Sequence, residues 1–160
     1  MRKLLLVTVL VAACGGAQKR QEELSDAVRS YNDGMRWARW EIAASQIPPK
    51  ERAEFVDEMD ERGDNLKITD YDVVKVDTSG SKEAKVQIKV SWYLDDSGTL
   101  KETHAVQTWE LQGKVWLMVK EARIRGDEMP GLTEPDGDTA AVKTDPGAPA
   151  AGPGPAHRIN

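Results

Sequence analysis

The sequence predicts an α+β fold in which N-terminal helices pack on a curved antiparallel sheet of about four strands. Apolar residues recur at helical spacing between Leu24 and Ile42. Between residues 66 and 124, apolar and polar residues instead alternate in four segments separated by turn-forming residues. One dry face and one wet face along such segments are typical of an antiparallel sheet that helices cover on one side.

The first helical segment begins near Gln18 and carries an apolar stripe. Its members recur every three or four residues: Leu24, Val28, Tyr31, Met35, Ala38 and Ile42. Three further residues fall on the opposite side of the same helix: Trp37, Trp40 and Ala44. Either the helix breaks near Gly34 and a second helix from Met35 buries a different face, or its later half is apolar all round. We favour a break or kink at Gly34.

A further helix is expected over residues 50–62, because Pro48 and Pro49 stop the first one and Pro49 suits an early helical position. Gly63 is the expected C-terminal cap. The buried side should consist of Ala53, Phe55, Val56 and Met59. The acidic side chains of this segment favour a solvated face over a metal site, because they lack a histidine partner and do not converge on one side.

Four strands are expected after the helices, at residues 66–78, 84–94, 99–111 and 115–124. The first has one apolar phase that comprises Leu66, Ile68, Val74 and Val76. The second has the clearest alternation, with one face made of Ala84, Val86, Ile88, Val90, Trp92 and Leu94. Turns are expected between the strands at residues 78–81, 95–98 and 112–114.

The N-terminus has the form of a secretory signal peptide. Arg2 and Lys3 precede the run LLLVTVLVAAC at residues 4–14. This run is too short for a permanent membrane span, which needs about 20 apolar residues. Its end, Val11-Ala12-Ala13-Cys14, resembles the lipobox of bacterial lipoproteins, in which an aliphatic and two small residues precede an obligatory cysteine.

The lipobox resemblance implies cleavage between Ala13 and Cys14, lipid attachment to the Cys14 thiol and acylation of the new amine. The alternative is an ordinary thiol behind another kind of signal. We favour lipidation because Cys14 is the only cysteine and lies where the lipobox requires one. In lipoproteins of the enteric type, Asp after the cysteine retains the protein in the inner membrane. Gly15 therefore implies the outer membrane, with the protein facing the periplasm.

These observations divide the chain into four parts. Residues 1–13 form the signal peptide, 14–20 a lipidated tether with a flexible Gly15-Gly16-Ala17 start, and 21–125 the α+β domain. Residues 126–160 contain six of the eight prolines and almost no large apolar side chain. This composition predicts a disordered, mildly acidic tail.

Several local motifs accompany the order of helices and strands. They are Tyr31-Asn32-Asp33-Gly34, Trp37, Ala43-Ala44, Ala84-Lys85-Val86 and the hairpin from Gly113 to Trp116. Together they resemble the nuclear transport factor two-like, or cystatin-like, superfamily over residues 22–124. The resemblance implies a long curved sheet that wraps around the N-terminal helices to form a cone. A four-stranded sheet with two helices in another topology is the structural alternative.

Two functions remain open. The preferred one is a non-catalytic binding or assembly accessory of the bacterial envelope, with an envelope protein or an apolar ligand as partner. The resemblance implies the alternative, an isomerase or dehydratase that uses acid–base groups in an apolar cone. The groups available for this are His104, Asp70, Asp72, Tyr31 and Tyr93.

Other classes of function are disfavoured. No catalytic nucleophile motif, phosphate loop, metal-ligand spacing or cofactor motif is present, so we expect no cofactor and no metal. The formal charge of −5 and the lack of a basic cluster argue against nucleic-acid binding.

The tryptophans are candidate pocket or docking residues, together with Tyr31 and His104. All five lie in the predicted domain: Trp37, Trp40, Trp92, Trp109 and Trp116. We favour core positions for them, because a small domain needs large apolar side chains. The alternatives are that some line a cone that binds an apolar or glycan-like ligand, or that Arg36-Trp37 and Arg39-Trp40 form an exposed docking patch.

Overall fold

The computed structural model describes residues 15–78 and 80–134. Within these ranges the helices are α1 (Gly15–Arg36), α2 (Trp40–Ala44) and α3 (Arg52–Gly63), with a 3-10 turn at Pro49–Glu51 before α3. The strands are β1 (Leu66–Thr78), β2 (Glu83–Leu94), β3 (Lys101–Gln112) and β4 (Val115–Gly126). The predicted signal peptide, Cys14 and residues 135–160 of the predicted tail lie outside the described residues.

The strands form one antiparallel sheet in the order β1-β2-β3-β4, and the helices pack on one of its faces. This confirms the predicted α+β fold class. The predicted face of β2 is buried at each position from Ala84 to Trp92. Leu24, Val28 and Tyr31 of α1 share a hydrophobic core with this face, and the Trp116 indole of β4 donates a hydrogen bond to the Arg20 carbonyl at 3.2 Å.

The break between the first two helices lies after Arg36 and not at Gly34. Helix α1 ends in a Schellman motif, in which the amide of Arg39 donates to the Gly34 carbonyl at 2.8 Å and that of Ala38 to the Met35 carbonyl at 3.4 Å. Ala38 occupies the left-handed position of this motif, with φ of +50°. The later part of the predicted stripe therefore leaves the helix, and α2 buries Trp40, Ala43 and Ala44 instead.

Gly34 is required for close packing. A Cβ at this position would lie only 2.8 Å from the Ala43 backbone nitrogen, well inside van der Waals contact. The glycine therefore allows α2 to fold back against the last turn of α1. The break was predicted at Gly34 itself; the chain does break, but after Arg36, and the reason for the glycine is packing and not helix termination.

Three smaller predictions were wrong. Ala53 is exposed on α3, where Met59 is the buried residue. Val74 of β1 is out of the predicted apolar phase, because the β-bulge at Val73/Lys75 leaves it as the extra residue, and it is exposed. Val76 returns to the predicted phase opposite the buried Val86, although this edge strand leaves it exposed. Residues 15–20, which were expected to form most of a flexible tether, belong to helix α1.

The packed part of the chain continues beyond the predicted domain end at residue 125. The segment 127–134 runs along β4, where the Arg123 amide donates to the Thr133 carbonyl at 2.8 Å and the Thr133 hydroxyl to the Glu121 carbonyl at 2.9 Å. Met129 is buried in the core and Leu132 packs against it. Residues 127–134 are therefore packed against the domain, although their composition predicted that they belong to the tail.

Candidate functional site

A cleft of about 260 Å³ opens between α1, α3 and β4, with segment 127–134 as one wall. Its apolar surface includes Met35, Phe55, Met59, Leu66, Met118 and Met129. Four of the five methionines of the chain thus line this one cleft. Methionine is unbranched and polarizable, so a surface rich in it adapts to ligands of different shape.

The polar end of the cleft is formed by Tyr31 of α1 and Glu121 of β4. The Tyr31 hydroxyl donates to Glu121 Oε2 at 3.0 Å, and the Gln107 side-chain amide donates to Glu121 Oε1 at 2.8 Å. Tyr31 itself is held edge-on by Trp109. The carboxylate thus has a defined position at the inner end of an apolar cleft.

A buried network fixes the orientation of Gln107. The Trp109 indole can only donate, and it donates to Gln107 Oε1 at 3.3 Å. The Gln107 nitrogen must therefore face the other way, where it donates to Asn32 Oδ1 at 3.0 Å and to Glu121. Asn32 completes the network by donating to the Val28 carbonyl at 2.8 Å. The Gln107 amide nitrogen is therefore held in an orientation in which it donates to Glu121.

Burial affects both titratable groups of this pair. Desolvation raises the pKa of Glu121 above its usual 4.5, although the hydrogen bonds from Gln107 and Tyr31 act in the opposite direction. Burial, together with the nearby Glu121 carboxylate, raises the pKa of Tyr31 well above 10.0. Tyr31 therefore stays protonated near neutral pH, whereas Glu121 keeps its proton to a higher pH than an exposed glutamate does.

The mouth of the cleft is mostly acidic. Glu51, Glu54 and Glu58 line it together with two cationic residues, Arg62 and Lys120. Arg62 is already engaged, since its Nη2 lies 3.0 Å from Glu58 Oε2. With Glu121 included, four carboxyl groups face two cationic side chains around the cleft.

Of the acid–base residues singled out in the sequence, Tyr31 lines the cleft. Asp70 is exposed and lies 2.9 Å from Arg36, while Asp72 lies 2.9 Å from Lys89. His104 pairs with Lys89 across the sheet, and its Nε2 lies 3.2 Å from Glu102. These residues, and Tyr93, do not line the cleft, so the structure does not bring them together with Tyr31.

The tryptophans also lie outside the cleft. Trp40, Trp92, Trp109 and Trp116 are buried in the domain. Trp40 packs against Gly63, and the Trp92 indole donates to Thr103 at 2.8 Å. Trp37 is 59% exposed, with the Arg36 guanidinium 5.1 Å from its ring centroid. The Arg36-Trp37 half of the expected docking patch is therefore accessible, and Trp40 of the other half is not.

Sequence reasoning missed Gln107 and Glu121. Gln107 lies in the buried phase of β3 with Thr103, Ala105 and Trp109, and a polar residue in that phase was a detectable signal. Glu121 offered no such signal. A β-bulge in β4 opposite Thr108/Trp109 shifts the phase of this strand. The side of the sheet to which the Glu121 side chain points could therefore not be predicted from alternation alone.

Neither a protein-family model nor a curated protein matches the chain. Among solved structures, the fold is similar to the solution structure of a SEC-C motif containing protein from Rhodopseudomonas palustris, with a TM-score of 0.54 and 11% sequence identity. The similarity covers 66% of this chain and 89% of that chain. At this level of identity the likeness extends to the fold alone.

Two further observations apply to the described ranges. No helix there has the length and apolar character that crossing a bilayer requires. No group of three or more His, Cys, Asp or Glu side chains in residues 15–78 and 80–134 is arranged to hold a metal ion.

Proposed function

We propose that the protein is a lipid-anchored lipoprotein of the bacterial envelope that binds a small apolar ligand, without catalysis, in the methionine-lined cleft. The observation that carries the binding function is the combination of an adaptable apolar wall with one positioned polar pair, Tyr31 and Glu121. Binding sites for small molecules have this composition: mostly apolar surface and a few fixed polar groups.

The size of the cleft limits the ligand. Pockets for drug-sized ligands usually enclose about 300–1,000 Å³, and this cleft has about 260 Å³. A short aliphatic chain or a single ring therefore suits the site better than a long lipid or an oligosaccharide.

The anchoring part of the proposal is supported by the sequence VAAC at residues 11–14. Several acyl chains on one cysteine would hold the protein firmly, because each buried methylene contributes about 0.8 kcal/mol and one chain alone is marginal. The protein would then bind its ligand at the membrane surface, on the periplasmic side of the outer membrane.

The binding function is tested with 1-hexanol as a neutral probe. Met35, Met59, Met118 and Met129 are labelled with ¹³C at their methyl groups, and their NMR shifts are followed during titration. We expect saturable shifts of these methyls, because they line the cleft. The methyl of Ala84, which is buried but does not line the cleft, is the internal control and should stay unchanged. Uniform or non-saturable shifts would overturn the binding function.

A second candidate is proton-transfer chemistry of the isomerase or dehydratase type, and the Tyr31–Glu121 pair favours it. A partly buried carboxyl with a raised pKa can act as a general acid or base. The test is exchange of the α-hydrogens of cyclohexanone in D₂O. An enzyme would accelerate the exchange and lose this activity in Glu121→Gln; a binding protein would give the solvent rate in both forms.

A further inference from the structure

We infer that the cleft selects ligands whose polar end donates hydrogen bonds, above all a primary ammonium group on a short apolar body. This inference rests on the proposed binding function and names its ligand class. It follows from the hydrogen-bond roles that remain unfilled at the inner end of the cleft, from the charge at its mouth and from its size.

The hydrogen-bond roles at the inner end are asymmetric. Gln107 has no spare donor, because its nitrogen serves Asn32 and Glu121 at 3.0 and 2.8 Å. The Tyr31 hydroxyl has already donated its one hydrogen to Glu121 at 3.0 Å. The two carboxylate oxygens of Glu121 receive one of these bonds each, although an ionised carboxylate accepts about four. What this end of the cleft still offers a ligand is therefore acceptors: Glu121 and the Tyr31 oxygen.

The mouth favours the same class of ligand. Glu51, Glu54 and Glu58 surround an entrance at which Arg62 is already paired with Glu58. Among the residues that line the cleft, carboxyl groups outnumber cationic side chains by four to two. Lys50, whose Nζ lies 3.4 Å from Glu51 Oε1, adds a third cation beside the mouth and leaves an excess of one carboxyl group. A cation that enters the cleft is therefore attracted by the excess negative charge, whereas a carboxylate or phosphate is repelled by it.

The apolar wall defines the rest of the ligand. Met35, Met59, Met118 and Met129 line the same cleft as Glu121, and Phe55 adds an aromatic face. A chain of several methylenes or one ring fills this space, with the ammonium group placed against Glu121. Polyamines with charges along their whole length would leave cationic groups against methionine, and they fit less well.

The test compares three probes with the same apolar body: hexylamine, 1-hexanol and hexanoate at pH 7.5. The four methionine methyls report binding to the wild-type protein. We expect hexylamine to bind at least roughly tenfold more tightly than 1-hexanol, because a hydrogen bond between two charged groups is stronger than one from a neutral hydroxyl. Hexanoate should bind more weakly than 1-hexanol.

The variant Glu121→Gln keeps the shape of the side chain and removes its charge. We expect it to weaken the binding of hexylamine more than that of 1-hexanol, so that the preference for hexylamine falls to within about threefold. The matched control is Glu83→Gln, at the exposed start of β2, which removes the same charge away from the cleft and should keep the wild-type order. If Glu121→Gln fails to fold, the order of the three probes on the wild-type protein decides the inference.

Each outcome has one meaning. Binding of 1-hexanol with equal or weaker binding of hexylamine would overturn the ligand class and leave the binding function in place. An unchanged hexylamine preference in Glu121→Gln would also overturn it. If none of the probes shifts the methionine methyls, both the ligand class and the proposed binding function are wrong.

Discussion

At the scale of single residues, the position of the Glu121 carboxylate depends on a chain of hydrogen bonds that starts at the Trp109 indole. The indole fixes Gln107, and Gln107 holds Glu121 Oε1 at 2.8 Å. A buried polar group that loses its partner costs about 1–3 kcal/mol. Replacing Gln107 would leave Asn32, Trp109 and Glu121 each short of a partner, so this residue supports the site although it does not line it.

Glu121 should also make stability depend on pH. Its pKa is raised in the folded protein, so the folded state binds more protons than the unfolded state above pH 4.5. Stability should therefore fall as the pH rises from about 4.5 through the folded-state pKa, and level off above it. The surrounding titratable or charged groups are Tyr31, Glu51, Glu54, Glu58, Arg62 and Lys120.

The variant Glu121→Gln isolates this contribution. Glutamine cannot ionise. The free energy of unfolding of the variant should therefore increase relative to that of the wild type as the pH rises, until Glu121 of the wild type is fully ionised. Urea denaturation of both proteins between pH 4.5 and pH 8 measures the difference. A difference that is constant with pH would show that Glu121 titrates as it does in the unfolded chain.

Trp37 should account for nearly all solvent-accessible tryptophan fluorescence. It is 59% exposed, while the other four indoles are at most 8% exposed. Acrylamide quenching of the wild-type protein should reveal one accessible component, and Trp37→Phe should remove it. The control Trp116→Phe removes a buried indole and should leave that component in place. Strong quenching that persists in Trp37→Phe would contradict the structure.

The sequence predicted single residues well where one periodicity holds without interruption. Leu24, Val28 and Tyr31 were assigned to the core side of α1, and they are buried there. The acid–base partner of Tyr31 was not predictable, because the glutamate to which its hydroxyl donates lies 90 positions away and a β-bulge sets the side of the sheet to which this glutamate points. Sequence periodicity carries no information about such long-range pairing across a bulge.

At the scale of elements, the end of α1 contains a local strain that a substitution can relieve. Ala38 has φ of +50°, a conformation that costs a residue with a Cβ about 1–2 kcal/mol and costs glycine very little. We expect Ala38→Gly to raise the free energy of unfolding by up to about 1 kcal/mol, measured by urea denaturation. The control is Ala53→Gly on the exposed side of α3, which should lower stability by about 1 kcal/mol. Equal losses in both variants would contradict the Schellman ending of α1.

Segment 127–134 should stabilise the domain through Met129. This side chain is 8% exposed in the core cluster, and truncation of a buried methionine typically costs about 2–5 kcal/mol. We expect Met129→Ala to lose stability in that range, while Glu128→Ala, an exposed neighbour, changes it by less than about 0.5 kcal/mol. Thermal unfolding followed by circular dichroism measures both. An unchanged midpoint in Met129→Ala would place the segment outside the cooperative unit.

The elements themselves were largely predictable. The four strands begin and end within a few residues of the expected bounds, since turn residues and alternation mark both ends. Segment 127–134 was not predicted, because its proline and glycine content is typical of a tail. Only two apolar residues, Met129 and Leu132, attach it to the core, and they are too few to form a pattern.

At the scale of the whole molecule, helix α1 is described from Gly15, the residue after the cysteine that we propose is lipidated. Within α1, Arg20 already contacts Trp116 of β4. A lipid on Cys14 would therefore join the domain through a short helical extension and not through the flexible tether that the glycines suggested. The domain with its cleft would stay within a few helical turns of the membrane surface.

The proposed anchoring of the protein to the envelope requires a lipid on Cys14. The most direct measurement is metabolic labelling with palmitate, followed by separation of membranes, for the wild-type protein and Cys14→Ser. We expect the wild type to be labelled, processed and found with the membranes, and the variant to be unlabelled and to keep its signal peptide. A wild type without label, together with a Cys14→Ser protein that is processed normally and stays with the membranes, would contradict it.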